Sequence, residues 1–141
     1  MVQSELTDYT DESALNAGSA VISVEKAKAL VALFARVTTS RDAQTFAHGF
    51  TEDCVVRFNN KELRGRDQVR DFMASSFSRL SDSYKCEKTL RSISGNVLGV
   101  TWLDTWKDLE TKELMKGRGS EFWIMRGDQI ARWDAAYGMK P

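Results

Sequence analysis

The sequence predicts an α+β fold in which a curved antiparallel sheet packs against helices gathered towards the N-terminus. Three observations carry that prediction. Apolar residues recur with the helical period of 3.6 up to about Ser81 and with the strand period of two beyond it. Gly95-Asn96 and Gly127-Asp128 are two-residue turn signals between alternating runs, so the strands they join must be antiparallel. A short strand pair, "DCVVRFNN" and "KELRG", is inserted within the helical part. Helices segregated to one face of an antiparallel sheet are one of the few stable layer arrangements.

The elements follow in order. Residues 1–21 are polar and acidic (Glu5, Asp8, Asp11, Glu12) and lack sustained periodicity, which reads as an N-terminal arm. Residues 22–141 then form a single domain. In "SVEKAKALVALFARVTTS", Ser23 caps a helix whose apolar side is Ala27, Leu30, Val31, Phe34 and Val37. A second, short helix runs from Asp42 to about Gly49. After the hairpin, "GRDQVRDFMASSFSRL" is a third helix, with Val69, Phe72, Met73 and Phe77 on one side. Residues 84–94, 97–108, 112–126 and 129–138 read as four successive strands.

Composition excludes several classes. Lys plus Arg and Asp plus Glu number 20 each, so the net charge is zero; nucleic acid and anionic membranes, which require a basic excess, are not expected partners. No 18-residue apolar run exists, and the first 20 residues lack a secretory pattern. Cys54 and Cys86 stand apart without metal-ligand spacing and His48 is the sole histidine, so no metal and no cofactor is expected. The reading is a cytoplasmic, reduced protein, although the sequence leaves a Cys54–Cys86 bridge open. "GRGSEF" lacks the third glycine of a dinucleotide loop and lies in a strand pattern, so Gly117 and Gly119 read as a bulge or bend. His48 reads as a helix C-terminal histidine.

The chemistry-bearing residues are pairs spaced by two on predicted strands. Arg57 and Asn59 lie in "VRFNN", Trp102 and Asp104 in "TWLDTW", and Arg132 and Asp134 in "ARWDAAY". Spacing by two puts both members of a pair on one sheet face. If the three strands bend around a common interior, two carboxylates, a guanidinium and a carboxamide converge in an apolar pocket, a set suited to acid–base work. Which face of 129–138 turns inward is left open. Asp104 leads the candidates because it shares its face with Trp102 and Trp106, where desolvation raises a carboxyl's pKa. Asp134 and Arg132 complete the candidate catalytic set. Arg57, Asn59, Trp102, Trp106, Glu121 and Trp123 are the candidate binding residues.

The order helix, helix, hairpin, helix, meander, with "FTEDCVVRFNNKELRGRDQVRDFM" at its centre, resembles the nuclear-transport-factor-2-like superfamily and its SnoaL-like members. Residues 50–139 are most similar to an uncharacterised bacterial SnoaL-like branch, through Arg57, Gly65-Arg66, Phe72, Gly95-Asn96, Val100, Trp106, Asp108, Gly119, Glu121, Trp123 and Arg132. The resemblance implies a cone-shaped fold, an apolar pocket and a homodimer. The spaced pairs also resemble those of limonene-type epoxide hydrolases. Asn59, Asp104 and Asp134 match that pattern; Arg57, Trp102 and Arg132 replace its Tyr, Arg and Trp. Because this fold hosts many activities, two readings follow. One is acid–base catalysis by Asp104 on a small hydrophobic molecule, of isomerase, dehydratase or hydrolase type. The other is a non-catalytic ligand-binding or dimeric interaction module, with Glu121 and Arg118 in ion pairs on the outer face of the sheet.

Overall fold

The computed structural model describes residues 21–140. The predicted polar arm therefore lies outside the described residues except for Val21. Helix α1 (Val24–Ser40) begins where the Ser23 side chain accepts a hydrogen bond from the Lys26 amide. It buries Ala27, Leu30, Val31, Phe34 and Thr38, the last donating its hydroxyl back to the Phe34 carbonyl. Helix α2 (Ala43–His48) is capped by Asp42, and strand β1 (Phe50–Phe58) follows after Gly49. Gly49 has no room for a side chain: a Cβ there would lie 2.1 Å from the Phe34 ring. Strand β2 (Lys61–Arg64) turns back on β1, and Gly65, at φ 86°, leads into helix α3 (Arg66–Phe77).

The meander consists of β3 (Lys85–Ser94), β4 (Val97–Lys107), β5 (Leu114–Arg126) and β6 (Gln129–Lys140). The six strands make one sheet in the order β2-β1-β6-β5-β4-β3. Five pairings need four antiparallel ladders and one exception: β1 lies parallel to β6, with Arg57 opposite Asp134. The sheet is thus mixed where the sequence predicts antiparallel pairing throughout. The exception joins two strands far apart in the chain, whose connection no turn signal marks.

The expected bulge at Gly117 and Gly119 is not there. The β4–β5 register runs without a shift from Val97–Ile124 to Lys107–Leu114, and the irregularities fall elsewhere, at Phe50/Val55, Leu90/Ser92 and Ile124/Met125. An aromatic cluster of Phe34, Phe46, Phe50, Trp123 and Trp133 fills the space between helices and sheet, with ring centroids 5.0–5.9 Å apart. Cys54 and Cys86 are both buried and free. Among the described residues, no helix is long and apolar enough to cross a membrane.

Candidate functional site

Strand alternation sorts the candidate residues onto two faces. On β4, Leu98, Val100, Trp102, Asp104 and Trp106 are buried, while Leu103 is exposed. On β6, Trp133 and Ala135 are buried and Asp134 is exposed. Of these inward residues, Trp102, Asp104, Trp106 and Trp133 line a cavity of about 460 Å³ between the sheet and the helices, within the usual size range for small-molecule sites. Phe58, Phe72, Met73, Leu80 and Met115 give it an apolar wall, and Trp102, Trp106 and Asp104 contribute from β4.

Asp104 is 5% exposed. Its carboxyl accepts hydrogen bonds from two phenols, Tyr84 at 2.8 Å to Oδ2 and Tyr137 at 2.9 Å to Oδ1. Burial pushes its pKa above the ordinary carboxylate value, against the opposing pull of the two hydroxyls and of the Lys88 charge. Burial likewise drives Tyr84 and Tyr137 upward, helped by the charge of Asp104, so both phenols keep their protons and donate. A carboxylate offers about four lone-pair sites, so two phenols leave acceptor capacity free.

The strand beneath makes this arrangement possible. Gly117 faces Asp104 in the register, and a Cβ on it would lie 2.0 Å from Asp104 Oδ1 and 2.1 Å from the Tyr137 hydroxyl. Gly119 faces Trp102, whose ring would meet a Cβ at 2.2 Å. Two glycines on β5 thus form a floor on which Trp102 lies flat, stacked on Tyr137 at 5.5 Å and 5°.

A second polar group lies alongside. Lys88, on β3 opposite Trp102, reaches across β4 to Glu121 on β5, Nζ to Oε1 2.8 Å, with side-chain exposures of 2% and 0%. Its ammonium sits 4.5 Å from the centre of the Trp102 ring and 5.5 Å from that of Trp133. Burial raises the Glu121 pKa, while Lys88 and the nearby Trp123 and Trp133 indoles pull it down. Glu121 Oε2 and both indole nitrogens nevertheless lack a hydrogen bond of good geometry. Glu121, expected in ion pairs on the outer face, is instead buried and pairs inward with Lys88.

The predicted convergence of three strand pairs does not occur. Asp104 and Trp102 enter the cavity, and Trp106 lines it, whereas Arg57, Arg132 and Asp134 line a groove of about 190 Å³ on the opposite face with Phe122 and Ile124. Arg57 pairs there with Glu62 at 2.9 Å. Parity is the cause: Trp133 turns inward, so its neighbours Arg132 and Asp134 turn out. The two-carboxylate arrangement of the epoxide-hydrolase pattern is not assembled. Asn59 borders the cavity, but its amide is engaged with the backbone of Tyr137, accepting from its N–H at 2.8 Å and donating to its carbonyl at 3.1 Å. Trp123 packs on Phe34 at 5.0 Å behind the cavity wall.

Sequence reasoning missed Tyr84, Lys88 and Tyr137. All three carried a signal. Tyr84, Cys86, Lys88 and Leu90 share one parity, and Tyr137 has the parity of Trp133. Among the described residues, no three His, Cys, Asp or Glu side chains group as a metal site.

A profile of the family described as "Protein of unknown function (DUF1348)" matches residues 21–136. The chain belongs to that family. No curated protein matches it. A candidate isomerase from Bacillus subtilis superposes with a TM-score of 0.70 at 17% identity, over 81% of this chain and 87% of that one. SalBIII, an epoxide hydrolase/cyclase-like enzyme with a role in pyran ring formation in salinomycin, gives 0.68 at 17% identity, covering 81% and 92%. A Catenulispora acidiphila protein with a ketosteroid isomerase-like fold, solved with trimethylamine, gives 0.68 at 13% identity, covering 75% and 82%. At these identities the likeness establishes the NTF2-like, SnoaL-like fold. In this chain the cavity wall joins the Asp104 carboxyl of β4 to two phenols, Tyr137 of β6 and Tyr84 from the segment before β3.

Proposed function

We propose that the cavity binds a small hydrophobic molecule and that Asp104 moves a proton on it, first as general base and then as general acid. The observation that carries this reading is the carboxyl itself, buried in an apolar cavity and held by two phenols rather than by a cation. A single carboxyl of raised pKa can remove a proton from carbon and return it at the same or a neighbouring atom, which is the chemistry of isomerases and of some dehydratases. Tyr84 and Tyr137 orient the carboxyl and stabilise its ionised form. The names of the fold neighbours, a candidate isomerase and an epoxide hydrolase/cyclase-like enzyme, favour the same broad class. Trp102 and Trp106 shape the apolar wall.

Solvent deuterium exchange into the methyl group of acetylnaphthalene, an enolisable ketone, tests the proposal without knowledge of the natural substrate. The protein accelerates the exchange, and Asp104→Asn lowers the rate by about 10²–10⁴-fold while leaving ketone binding and thermal unfolding close to wild type. Exchange at equal rates in both proteins would leave a cavity that only holds its ligand.

The reading extends to assembly and location. The outer face of the sheet exposes Leu103 and Phe122 at 47% and 55%, and a second copy of the chain covers that face in a homodimer. The buried, free state of Cys54 and Cys86 suits a cytoplasmic setting.

A further inference from the structure

We infer that Lys88, held by Glu121, is the residue that binds the oxygen of the cavity's ligand, and that the ligand is an uncharged apolar carbonyl compound. The inference rests on the cavity being the ligand site, as proposed above, but not on Asp104 moving a proton.

Lys88 lines the cavity with its side chain only 2% exposed. An ammonium has three N–H donors. Among the described residues, Glu121 is its one hydrogen-bond acceptor, and the rings of Trp102 and Trp133 lie 4.5 and 5.5 Å from Nζ. Donor capacity is therefore left beside an apolar space, in a setting where an unsatisfied donor is costly. Burying an ion pair gains little stability over apolar packing of the same volume, so packing alone is a weak reason for this pair to sit at a cavity wall.

The position relative to Asp104 is also defined. Cys86 and Lys88 of β3 face Asp104 and Trp102 of β4, which makes Lys88 and Asp104 diagonal neighbours on one sheet face, a spacing of roughly 7–8 Å between backbones. A ligand whose carbonyl oxygen meets Nζ can thus present the carbon next to its carbonyl group towards the carboxyl. Removal of a proton there breaks a C–H bond and forms the Asp104 O–H bond; the C–H electron pair becomes a C=C bond and the carbonyl π pair moves onto the oxygen at Lys88. Return of the proton to carbon closes the cycle with no other reactant.

Charge selects the neutral ligand. Lys88 and Arg79 bring two positive charges to the cavity, and Glu121, Asp104 and Asp108 bring three acids, so a carboxylate entering it would meet an excess of acids and an unfavourable field. A carbonyl oxygen accepts the hydrogen bond without that repulsion.

The test uses three ligands of matched shape, acetylnaphthalene, ethylnaphthalene and naphthoate, titrated by quenching of tryptophan fluorescence. Wild type binds the ketone at least tenfold more tightly than the hydrocarbon and more tightly than the carboxylate. Removing one charge alone would strand the other, so Lys88→Met is made together with Glu121→Gln, and cooperative unfolding confirms the fold. In that protein the ketone preference falls to within twofold while the hydrocarbon still binds. The infrared carbonyl stretch of the bound ketone lies at lower frequency in wild type than in the double variant. A ketone preference that survives the double substitution, or an unchanged stretch, overturns the assignment of Lys88. Failure of all three ligands to bind wild type overturns both this inference and the cavity as the site. Ketone binding that depends on Lys88, without deuterium exchange, supports this inference and rejects only the proposed role of Asp104.

Discussion

Asp104 is a carboxyl among tryptophans whose two hydrogen-bond partners are phenols, and that combination decides its behaviour. Burial disfavours the ionised form, so its contribution to folding is full below the ordinary value near 3.8 and is lost as pH rises through the raised native value. Above that native value the group is an ionised base without a bound cation, the state the proposed chemistry needs. The placement of Asp104 was legible in "TWLDTW", because a carboxylate in phase with two tryptophans faces whatever those rings face. The placement of Asp134 was legible too, had the two faces of "ARWDAAY" been compared. Ala131, Trp133, Ala135 and Tyr137 make the apolar face, and Arg132 and Asp134 the polar one. Asn59 is constrained in a different way. Its φ of 55° and its two bonds to the Tyr137 backbone make it a turn residue that fixes the end of β6.

Strand β5 carries a prediction of its own. Gly117 and Gly119 are needed for close approach, since side chains from β4 and β6 occupy the space a Cβ would fill. Gly117→Ala therefore forces Asp104 and Tyr137 apart, costs about 1–3 kcal/mol by overpacking, and abolishes the deuterium exchange. Gly138→Ala, on β6, meets nothing within 4 Å and changes stability by no more than about 0.5 kcal/mol. Urea unfolding and exchange rates of the two variants check both statements, and equal effects would show that the glycine floor does not hold the site. Sequence alone marks such glycines as interruptions of a strand. Only the register, Asp104 opposite Gly117 and Trp102 opposite Gly119, reveals what they make room for.

For the whole molecule, the order of helices, hairpin and meander was readable because each part announces itself locally, through caps, periodicity and turn residues. The β3 to β6 boundaries predicted from turn signals lie close to those observed, at 85–94, 97–107, 114–126 and 129–140. The parallel β1–β6 pairing was not readable, since it joins residues some 75 positions apart, such as Val55 and Arg132, and leaves no local mark. That pairing places the hairpin and Phe58 beside Tyr137, and so completes one wall of the cavity. The proposed homodimer is tested at this scale. Sedimentation at micromolar concentration gives a dimer, and Phe122→Lys on the outer face shifts it to monomer; a wild-type monomer would contradict the assembly.

The Asp104 carboxyl in the cavity wall is poised by burial rather than by an ion pair. Carboxyl-carbon NMR titration of the protein, with the Asp104 signal assigned by its loss in Asp104→Asn, measures this directly. The expected midpoint for Asp104 lies above the ordinary 3.8, while Asp42 and Asp108, whose carboxylates accept hydrogen bonds from backbone amides at the surface, titrate below it. An Asp104 midpoint at or below those of Asp42 and Asp108 would contradict it.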